Sequence, residues 1–319
     1  MGVGGYQQIN KAFNVCAFED YLDTQLRGLP HLSNIEYLSP RVIRILGQNP
    51  GKFTLQGTNT YIVGTGPDRI LIDTGQGIPE WADLLAKQLA DANVSLSHVF
   101  LTHWHGDHTG GVPDVVRLYP SVANSIYKHT PSKDQKPIAD GQVFQVEGAT
   151  IHAVHAPGHS QDHTCFVLLE DNAMFTGDNV LGHGTSAVED LGGWMASLRI
   201  MQSHRCTRGY PAHGAVIADL DGKISAELAY KMRREAQVLQ ALKTLKSRQN
   251  TATEAPGRSR ATGSVTVSEV VTEIHGEELD NEVRLMALEP FIDEVLRKLA
   301  EDGAVAFEIR KGVKRWFVV

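Results

Sequence analysis

Apolar and polar residues alternate after residue 40 in a pattern that predicts many short strands and a few helices. Short runs rich in β-branched residues, bounded by Gly and Pro, are typical of strands. Such runs lie at residues 41–46, 60–63, 69–73, 98–102, 143–146, 150–155, 164–169 and 173–175. Residues 80–92 instead carry Trp81, Leu85 and Leu89 at helical spacing, which predicts a helix. Paired strands followed by helices and further strands favour two sheets flanked by helices, a layered α/β fold.

The C-terminal third of the chain has a different pattern, with longer helical runs and fewer strands. Residues 227–246 predict a long amphipathic helix, because Met232, Leu239 and Leu242 fall on one stripe. The stretch 247–264 is poor in large apolar residues, which predicts a mobile loop. Two helical runs and two strand-like runs follow, at 267–274, 284–302, 304–308 and 314–319. Helix, helix and hairpin in this order resemble a winged-helix module.

These changes of pattern predict three segments in the chain. Residues 1–40 form an N-terminal extension, with a short helix predicted over 17–26. Residues 41–225 form the main α/β domain, and residues 226–319 form a helical, winged-helix-like C-terminal domain. We expect that domain to cap a cleft of the main domain or to make a dimer contact. Deletion of residues 266–319 is therefore expected to impair folding or ligand capture.

Composition and charge argue against several classes of function. The 319 residues carry a net charge of -7, so no general positive field favours nucleic acid or an anionic membrane. The three cysteines, Cys16, Cys165 and Cys206, lie too far apart for a disulfide framework or a Cys-rich zinc motif. A reducing compartment is the simplest interpretation. Neither a signal-peptide pattern nor a membrane-length apolar run is present, so we predict a cytoplasmic protein.

The densest group of possible metal ligands follows the strand predicted at 98–102. It reads His103-Trp104-His105-Gly106-Asp107-His108, with four possible ligands in six residues. Imidazole and carboxylate together suit a borderline cation such as Zn²⁺. Gly106 favours a loop over a helix here, with the side chains converging. We interpret Trp104 as packing support between two ligands.

Three more possible ligands lie beside glycines at or near the ends of strand-like runs. His159 follows a Pro-Gly turn, Asp178 follows Thr-Gly, and His213 precedes Gly214. A loop at such a strand end can turn each side chain towards a shared edge of the fold. The recurrence of the pattern predicts that these residues complete one metal centre.

Together these motifs resemble the five-motif signature of the metallo-β-lactamase superfamily, over roughly residues 40–225. Asp73, in Leu-Ile-Asp-Thr-Gly, matches the first motif. The resemblance implies a four-layer αββα sandwich with two zinc ions. It implies that one zinc is held by His103, His105 and His159, the other by Asp107, His108 and His213, with Asp178 bridging. Asp73 would support the metal loop through hydrogen bonds.

The same resemblance implies hydrolysis by a metal-held hydroxide. Two Zn²⁺ ions would lower the pKa of a shared water and polarise the substrate carbonyl. Asp107 and Asp178 are the candidate catalytic carboxylates, for proton transfer. Mn²⁺ or Fe could also occupy a His/Asp site. Antibiotic-degrading β-lactamases commonly have Cys where Asp178 stands and lack a metal-binding Asp in the role of Asp107, so penicillin hydrolysis is not expected.

Residues 49–61 and 177–185, with the C-terminal segment, resemble the lactamase-beta-2-like branch. Within it, the chain is most similar to fungal thioesterases that act beside non-reducing polyketide synthases. This implies release of an aromatic polyketide, of the atrochrysone carboxylic acid type, from its acyl-carrier protein. The carrier protein with its bound polyketide would be the partner of a monomer or homodimer that binds no membrane. Asn59, Tyr61 and His183 are candidate substrate-binding residues.

Three other functions stay open from the sequence. A zinc-dependent endoribonuclease on single-stranded RNA, as in animal members of the branch, would need a basic groove leading to the metals. Lys231-Met-Arg-Arg234 could contribute, although such a run is more often a solvated helix face. A glyoxalase II-like thioester hydrolase would have a different C-terminal region. A non-enzymatic scaffold would have lost ligands, whereas all seven positions are filled here.

Overall fold

The computed structural model describes residues 26, 28–252, 263–278 and 281–319. Residues 1–25, with nearly all of the helix predicted at 17–26, lie outside the described residues, as do residues 253–262 of the predicted loop. The chain divides into two units. The sandwich unit contains described residues 26, 28–188 and 193–225, and the C-terminal unit contains residues 189–192 and those from 226 onwards.

The first sheet of the sandwich unit has seven strands that neighbour one another in chain order. They are β1 (Ile35–Ser39), β2 (Val42–Leu46), β3 (Asn59–Val63), β4 (Asp68–Ile72), β5 (Ser95–Phe100), β6 (Ile126–Lys128) and β7 (Lys136–Pro137). Strands β1 to β4 pair antiparallel, and β4 to β7 pair parallel. Residues 35–39 were assigned to the N-terminal extension from the sequence, but they form β1 and pair with β2.

The second sheet has five strands in the order β12-β11-β10-β9-β8. They are β8 (Val143–Val146), β9 (Ala149–His155), β10 (Thr164–Leu168), β11 (Ala173–Gly177) and β12 (Arg208–Pro211). One buried core contains residues of both sheets, so the sheets pack face to face. Within it the rings of Phe100 and Phe166 stack with centroids 5.2 Å apart. Tyr61 of β3 faces this core, whereas its neighbour Ile62 faces the opposite side, as strand geometry requires.

Helices α1 (Pro79–Ala92) and α3 (Val112–Leu118) pack against the outer side of the first sheet. The other two helices of this part of the chain are α2 (Gly106–Thr109), a single turn after β5, and α4 (Leu191–Ser203). Trp81 and Leu85 of α1 share a second core with Ile62 of the first sheet. On the other side, Ser197 of α4 donates a hydrogen bond to the Pro157 carbonyl oxygen at 2.6 Å, just after β9. The mixed sheets flanked by helices confirm the α/β fold class expected from the sequence.

The helix predicted over 227–246 is longer at both ends. As α5 it spans Leu220–Ala252, and the division between the two units falls inside it. Asp219 accepts a hydrogen bond from the backbone N–H of Gly222 at 2.9 Å, so an N-terminal cap lies well before the predicted start. At the other end, residues 247–252 of the predicted loop are helical, and Arg248 pairs with Glu273 at 2.5 Å.

The C-terminal unit continues with helices and a hairpin. These are α6 (Val267–His275), α7 (Asn281–Val283), a π-helical turn (Arg284–Leu288), α8 (Glu289–Glu301), β13 (Val305–Arg310) and β14 (Val313–Val318). Thr266 and Glu269 form a capping box at the start of α6. Val265 pairs with Trp316 of β14 in an isolated antiparallel bridge. The described part of the chain contains no helix both long and apolar enough to span a membrane.

Candidate metal centre

The seven predicted metal ligands come together in the sandwich unit, in the segments that follow β5, β9, β11 and β12. They lie beyond the ends of those strands, which is why residues distant in the chain share one edge. Their ligand atoms form two clusters, each within 4.8 Å. The first cluster contains His103, His105 and His159, which we call the imidazole group, with Asp178 beside them. The second contains Asp107, His108 and His213, which we call the mixed group. Of the described residues, these are the sets that could hold a metal ion.

The segment after β5 is held in place by backbone contacts. Residues 106–109 form α2, a single helical turn, where Gly106 had led us to predict a loop. The turn closes because the backbone N–H groups of His108 and Thr109 donate to the carbonyl oxygen of His105. Thr74, just after β4, donates its N–H and its hydroxyl to the His108 carbonyl oxygen, both at 2.8 Å. This fixes Asp107 and His108 beside one another.

The imidazole group brings three buried ring nitrogens into close contact. His103 Nε2 lies 2.8 Å from His105 Nδ1, and His159 Nε2 lies 3.2 Å and 3.0 Å from these two atoms. Burial and the neighbouring imidazoles lower the pKa of all three, that of His105 to about 4. The rings are therefore neutral near pH 7, the form in which imidazole binds a cation.

The mixed group combines one carboxylate with two imidazoles. Asp107 Oδ2 lies 3.2 Å from His108 Nε2 and 3.3 Å from His213 Nε2. Burial alone would lower the pKa of His213, but Asp178 and Asp107 raise it to about 9. The same kind of contact raises the pKa of His108 and, against burial, lowers the pKa of Asp107. Without a metal ion, protons on these histidines therefore balance the carboxylates, and a cation bound there would displace those protons.

Asp178 faces both groups. Its Oδ2 lies 3.3 Å from His159 Nε2 and 4.0 Å from His103 Nε2. Its Oδ1 lies 3.2 Å from His213 Nε2 and 3.6 Å from His108 Nε2. Each carboxylate oxygen thus points to one group, which is the position that the sequence led us to expect of a bridging ligand.

Hydrogen bonds on the far side of the imidazole rings fix their orientation. Asp73 Oδ2 accepts from His108 Nδ1 at 2.8 Å, and Asp73 Oδ1 accepts from the Thr102 N–H at 2.8 Å. His159 Nδ1 donates to the Ala187 carbonyl oxygen at 2.6 Å. These bonds leave the opposite ring nitrogen directed into the cluster, as is usual for metal-binding histidines. Asp73 is thus placed to support the site from outside.

Two supporting residues were missed by the sequence analysis, although both lie in the 49–61 segment that carried the branch resemblance. The Thr58 hydroxyl donates to Asp107 Oδ2 at 3.1 Å. Asn49 in turn donates its Nδ2 to the Thr58 hydroxyl at 3.0 Å and accepts the Thr58 N–H at 2.8 Å. Both side chains are buried. Their effect on Asp107 depends on tertiary contacts that the sequence pattern does not show.

His163 is a further buried residue that the sequence analysis did not single out. Its Nε2 accepts the backbone N–H of Asp178 at 3.0 Å, and burial holds its pKa well below the ordinary value. Gly177 has φ +51, and a Cβ there would overlap the His163 ring. His163 therefore holds the Asp178 backbone in place. The spacing of four residues from His159 was the one available signal.

Two of the three candidate substrate residues have different contacts from those expected. Asn59 and Tyr61 are buried, at 0% and 2% exposure. Asn59 Nδ2 donates to the carbonyl oxygens of Pro211 and Gly214, and the Tyr61 hydroxyl donates to that of Pro211. Because these carbonyls flank His213, we assign both residues to holding that turn instead of binding substrate. His183 is half-buried in the neighbouring loop and stays a candidate for substrate contact.

Trp104 was predicted to support the two ligands beside it by packing, and its ring meets that of His105 at an interplanar angle of 69°. The residue is nevertheless 54% exposed. Cys165, by contrast, is fully buried, as expected for a core residue.

The cluster fits a divalent cation. Within the described chain, His108 Nε2 and Asp178 Oδ1 are buried and have ion-pair contacts at 3.2 and 3.6 Å, but none of these contacts is a hydrogen bond. Buried polar atoms without hydrogen bonds are uncommon and costly, unless another partner such as an ion binds them. A donor set of imidazole nitrogens and carboxylate oxygens matches the preference of zinc and similar metals.

The chain is similar in sequence to known proteins. A family model described as the metallo-beta-lactamase superfamily matches residues 53–213, which include all seven candidate ligands. An atrochrysone carboxyl ACP thioesterase from a Cryptosporiopsis species is 67% identical over 318 residues, covering 100% of this chain and 98% of that protein. A protein of the same name from Aspergillus terreus is 66% identical over 316 residues, covering 99% of this chain and 97% of that one.

Solved structures show the same fold at much lower identity. A beta-lactamase domain protein from Burkholderia ambifaria has a TM-score of 0.69 at 17% identity, covering 91% of this chain and 95% of its own. A metallo-beta-lactamase family protein from Thermus thermophilus has a TM-score of 0.63 at 19% identity, covering 89% and 100%. These similarities concern the fold alone.

Proposed function

The chain belongs to the metallo-β-lactamase superfamily and is a hydrolase, and we propose that it is a thioesterase acting on a carrier-bound acyl group. The acyl group would be an aromatic polyketide of the atrochrysone carboxylic acid type. It would be released from the acyl-carrier protein of a non-reducing polyketide synthase. The observation that carries this proposal is the 66–67% identity, over nearly the whole chain, to proteins named for that reaction.

We further propose that the centre holds two divalent cations, zinc first, with Mn²⁺ or Fe as alternatives. His103, His105 and His159 would hold one ion, and Asp107, His108 and His213 the other, with Asp178 between them. Two ions bound there would lower the pKa of a water molecule and polarise the thioester carbonyl.

Side chains of the protein would orient the attacking water. Asp107 and Asp178 are the carboxylates of the cluster, and the adjoining histidines outweigh burial to hold the pKa of each below its ordinary value. Each therefore stays ionised and can accept a hydrogen bond from the attacking water. The leaving thiolate needs little help from an acid, because the pKa of a thiol is only about 8.5.

A cysteine nucleophile is not needed for this mechanism, and the described cysteines do not suit one. Burial raises the pKa of Cys165 above its ordinary value and that of Cys206 to about 11. A nucleophilic cysteine instead requires a lowered pKa and an accessible thiolate.

The proposed partner is the acyl-carrier protein with its bound polyketide. A monomer or homodimer and a cytoplasmic location remain predictions from the sequence. So does the absence of nucleic-acid binding.

The test compares an aromatic acyl thioester on its carrier protein with a labelled single-stranded RNA. We expect release of the acid by the metal-loaded protein and no cleavage of the RNA. Chelated protein and the Asp107→Ala variant should release little acid. Cleavage of RNA with the thioester intact would overturn the thioesterase proposal and favour the nuclease alternative. Metal content measured by mass spectrometry would show separately whether two ions bind.

A further inference from the structure

Trp104 differs from the other three tryptophans of the chain. Trp81, Trp194 and Trp316 are buried, with exposures of 0%, 0% and 1%, whereas Trp104 is 54% exposed. An indole left in water forgoes a large gain in hydrophobic free energy. Large exposed aromatic groups at concave or reactive sites are a common means of binding ligands.

The backbone of Trp104 is fixed by its neighbours. His103 and His105, on either side of it, both turn their side chains into the imidazole group. The Trp104 and His105 rings make a T-shaped contact with centroids 4.5 Å apart, while the Trp104 residue is 54% exposed. The indole thus contacts a candidate metal ligand and also stays accessible to solvent.

We propose that Trp104 is a binding surface for the aromatic part of the acyl group. A flat, fused-ring acyl group would lie against the indole while its thioester carbonyl lies at the metal centre. This inference rests on the proposed thioesterase function and adds a basis for choosing aromatic over small aliphatic acyl groups. Stacked aromatic rings attract each other beyond the effect of buried area, whereas an acetyl group offers little surface to the indole.

The alternative is that Trp104 only shields or props the His105 ring. Shielding would affect every substrate alike, because His105 belongs to the metal centre whatever the acyl group. A binding surface would affect aromatic substrates selectively. The two roles therefore differ in the ratio of rates between substrates.

The experiment measures kcat/KM for the 2-naphthoyl and acetyl thioesters of N-acetylcysteamine. In Trp104→Ala we expect the naphthoyl-to-acetyl ratio to fall about tenfold, mainly through KM of the naphthoyl thioester. Trp104→Phe, which keeps a smaller ring, should retain most of the ratio. Leu169→Ala is the matched control, because Leu169 is 47% exposed and follows the last residue of β10. Thr164, which bonds to Thr102 next to the metal centre, is at the other end of that strand. Leu169→Ala should leave the ratio unchanged.

One result would overturn the inference: an unchanged naphthoyl-to-acetyl ratio in Trp104→Ala. It would do so whether the two rates stay at their wild-type values or fall equally, with or without loss of bound metal. Calorimetry with 2-naphthoic acid gives a readout independent of turnover, and we expect weaker binding in Trp104→Ala than in the wild type. If the wild type hydrolyses neither thioester, the carrier-protein assay decides the thioesterase proposal separately, while the calorimetry still decides whether Trp104 binds aromatic groups.

Discussion

The imidazole group and the mixed group use the same kind of ligand in opposite electrical surroundings. The rings of His103, His105 and His159 face one another, and burial with mutual repulsion keeps their pKa values low. His108 and His213 face carboxylates, which raise their pKa values in spite of equally deep burial.

The hydrogen bonds behind the rings differ in the same way. In the imidazole group, His159 donates to a backbone carbonyl and His103 Nδ1 lies 3.0 Å from the Thr102 hydroxyl. In the mixed group, His108 donates to the carboxylate of Asp73. The charge of each half is therefore set by the residues around the histidines, and we expect the two halves to respond differently to mutation.

The largest effect is expected at Asp178, because its carboxylate faces both groups. Asp178→Asn keeps the size of the side chain but removes the charge that both groups face, so both should lose metal affinity. We expect kcat/KM to fall about a thousandfold or more. Asp171→Asn is the control, because the Asp171 side chain is equally exposed, at 11%, and pairs with Arg41. Retention of a full metal complement in Asp178→Asn, measured by mass spectrometry, would contradict a bridging position.

The next effect should fall mainly on the mixed group, because Asp73 contacts His108 directly and reaches His103 only through the Thr102 hydroxyl. Asp73→Asn cannot accept from both His108 and Thr102 as the carboxylate does. We expect about 10- to 100-fold weaker binding of one metal ion, since supporting partners of ligands commonly have effects of that size. A zinc titration against a competing chelator should show one weakened step, the same step that His213→Ala lacks. Weakening of the step lost in His105→Ala would show that the halves are not separable.

A smaller effect on the same group is expected at Thr58. Thr58→Val removes the hydroxyl that donates to Asp107 and accepts from Asn49. We expect metal binding at the mixed group to weaken by about tenfold or less. The free energy of unfolding should also fall by about 1–3 kcal/mol, because buried polar atoms lose a partner. Thr58→Ser keeps the hydroxyl and should behave like the wild type; a loss in Ser with none in Val, which keeps the γ-methyl, would point to packing by the methyl group.

The smallest effect is expected in the imidazole group, at Ser186. Its hydroxyl lies 3.3 Å from His159 Nδ1, which already donates to the Ala187 carbonyl oxygen at 2.6 Å. Ser186→Ala should therefore change metal affinity by no more than about threefold. The same titration checks this, and a loss as large as that of Asp73→Asn would show that both halves depend equally on side-chain support.

Much of the fold and the centre could be predicted from local pattern. Val143–Val146 and the strand starting at Thr164 lie where the sequence placed them. The first alternates exposed and more buried residues and the second is a continuous buried run, and both patterns are typical of strands. The family resemblance, carried by seven ligand positions, is confirmed by the family model. The one-turn helix at Gly106 and the helix at Leu191, rich in glycine at its start, were missed because glycine is a poor local signal for a helix.

The sequence by itself determined which side chains can bind a metal, because the ligand types and their order along the chain form a specific signature. The tertiary structure alone decided which neighbours act on them. Thr58 reaches Asp107, and His163 reaches the Asp178 backbone, only because separate strands end at one edge of the sandwich. It also decided that Tyr61 is buried while Trp104 is exposed, since burial depends on what packs against a residue and not on its own apolar character.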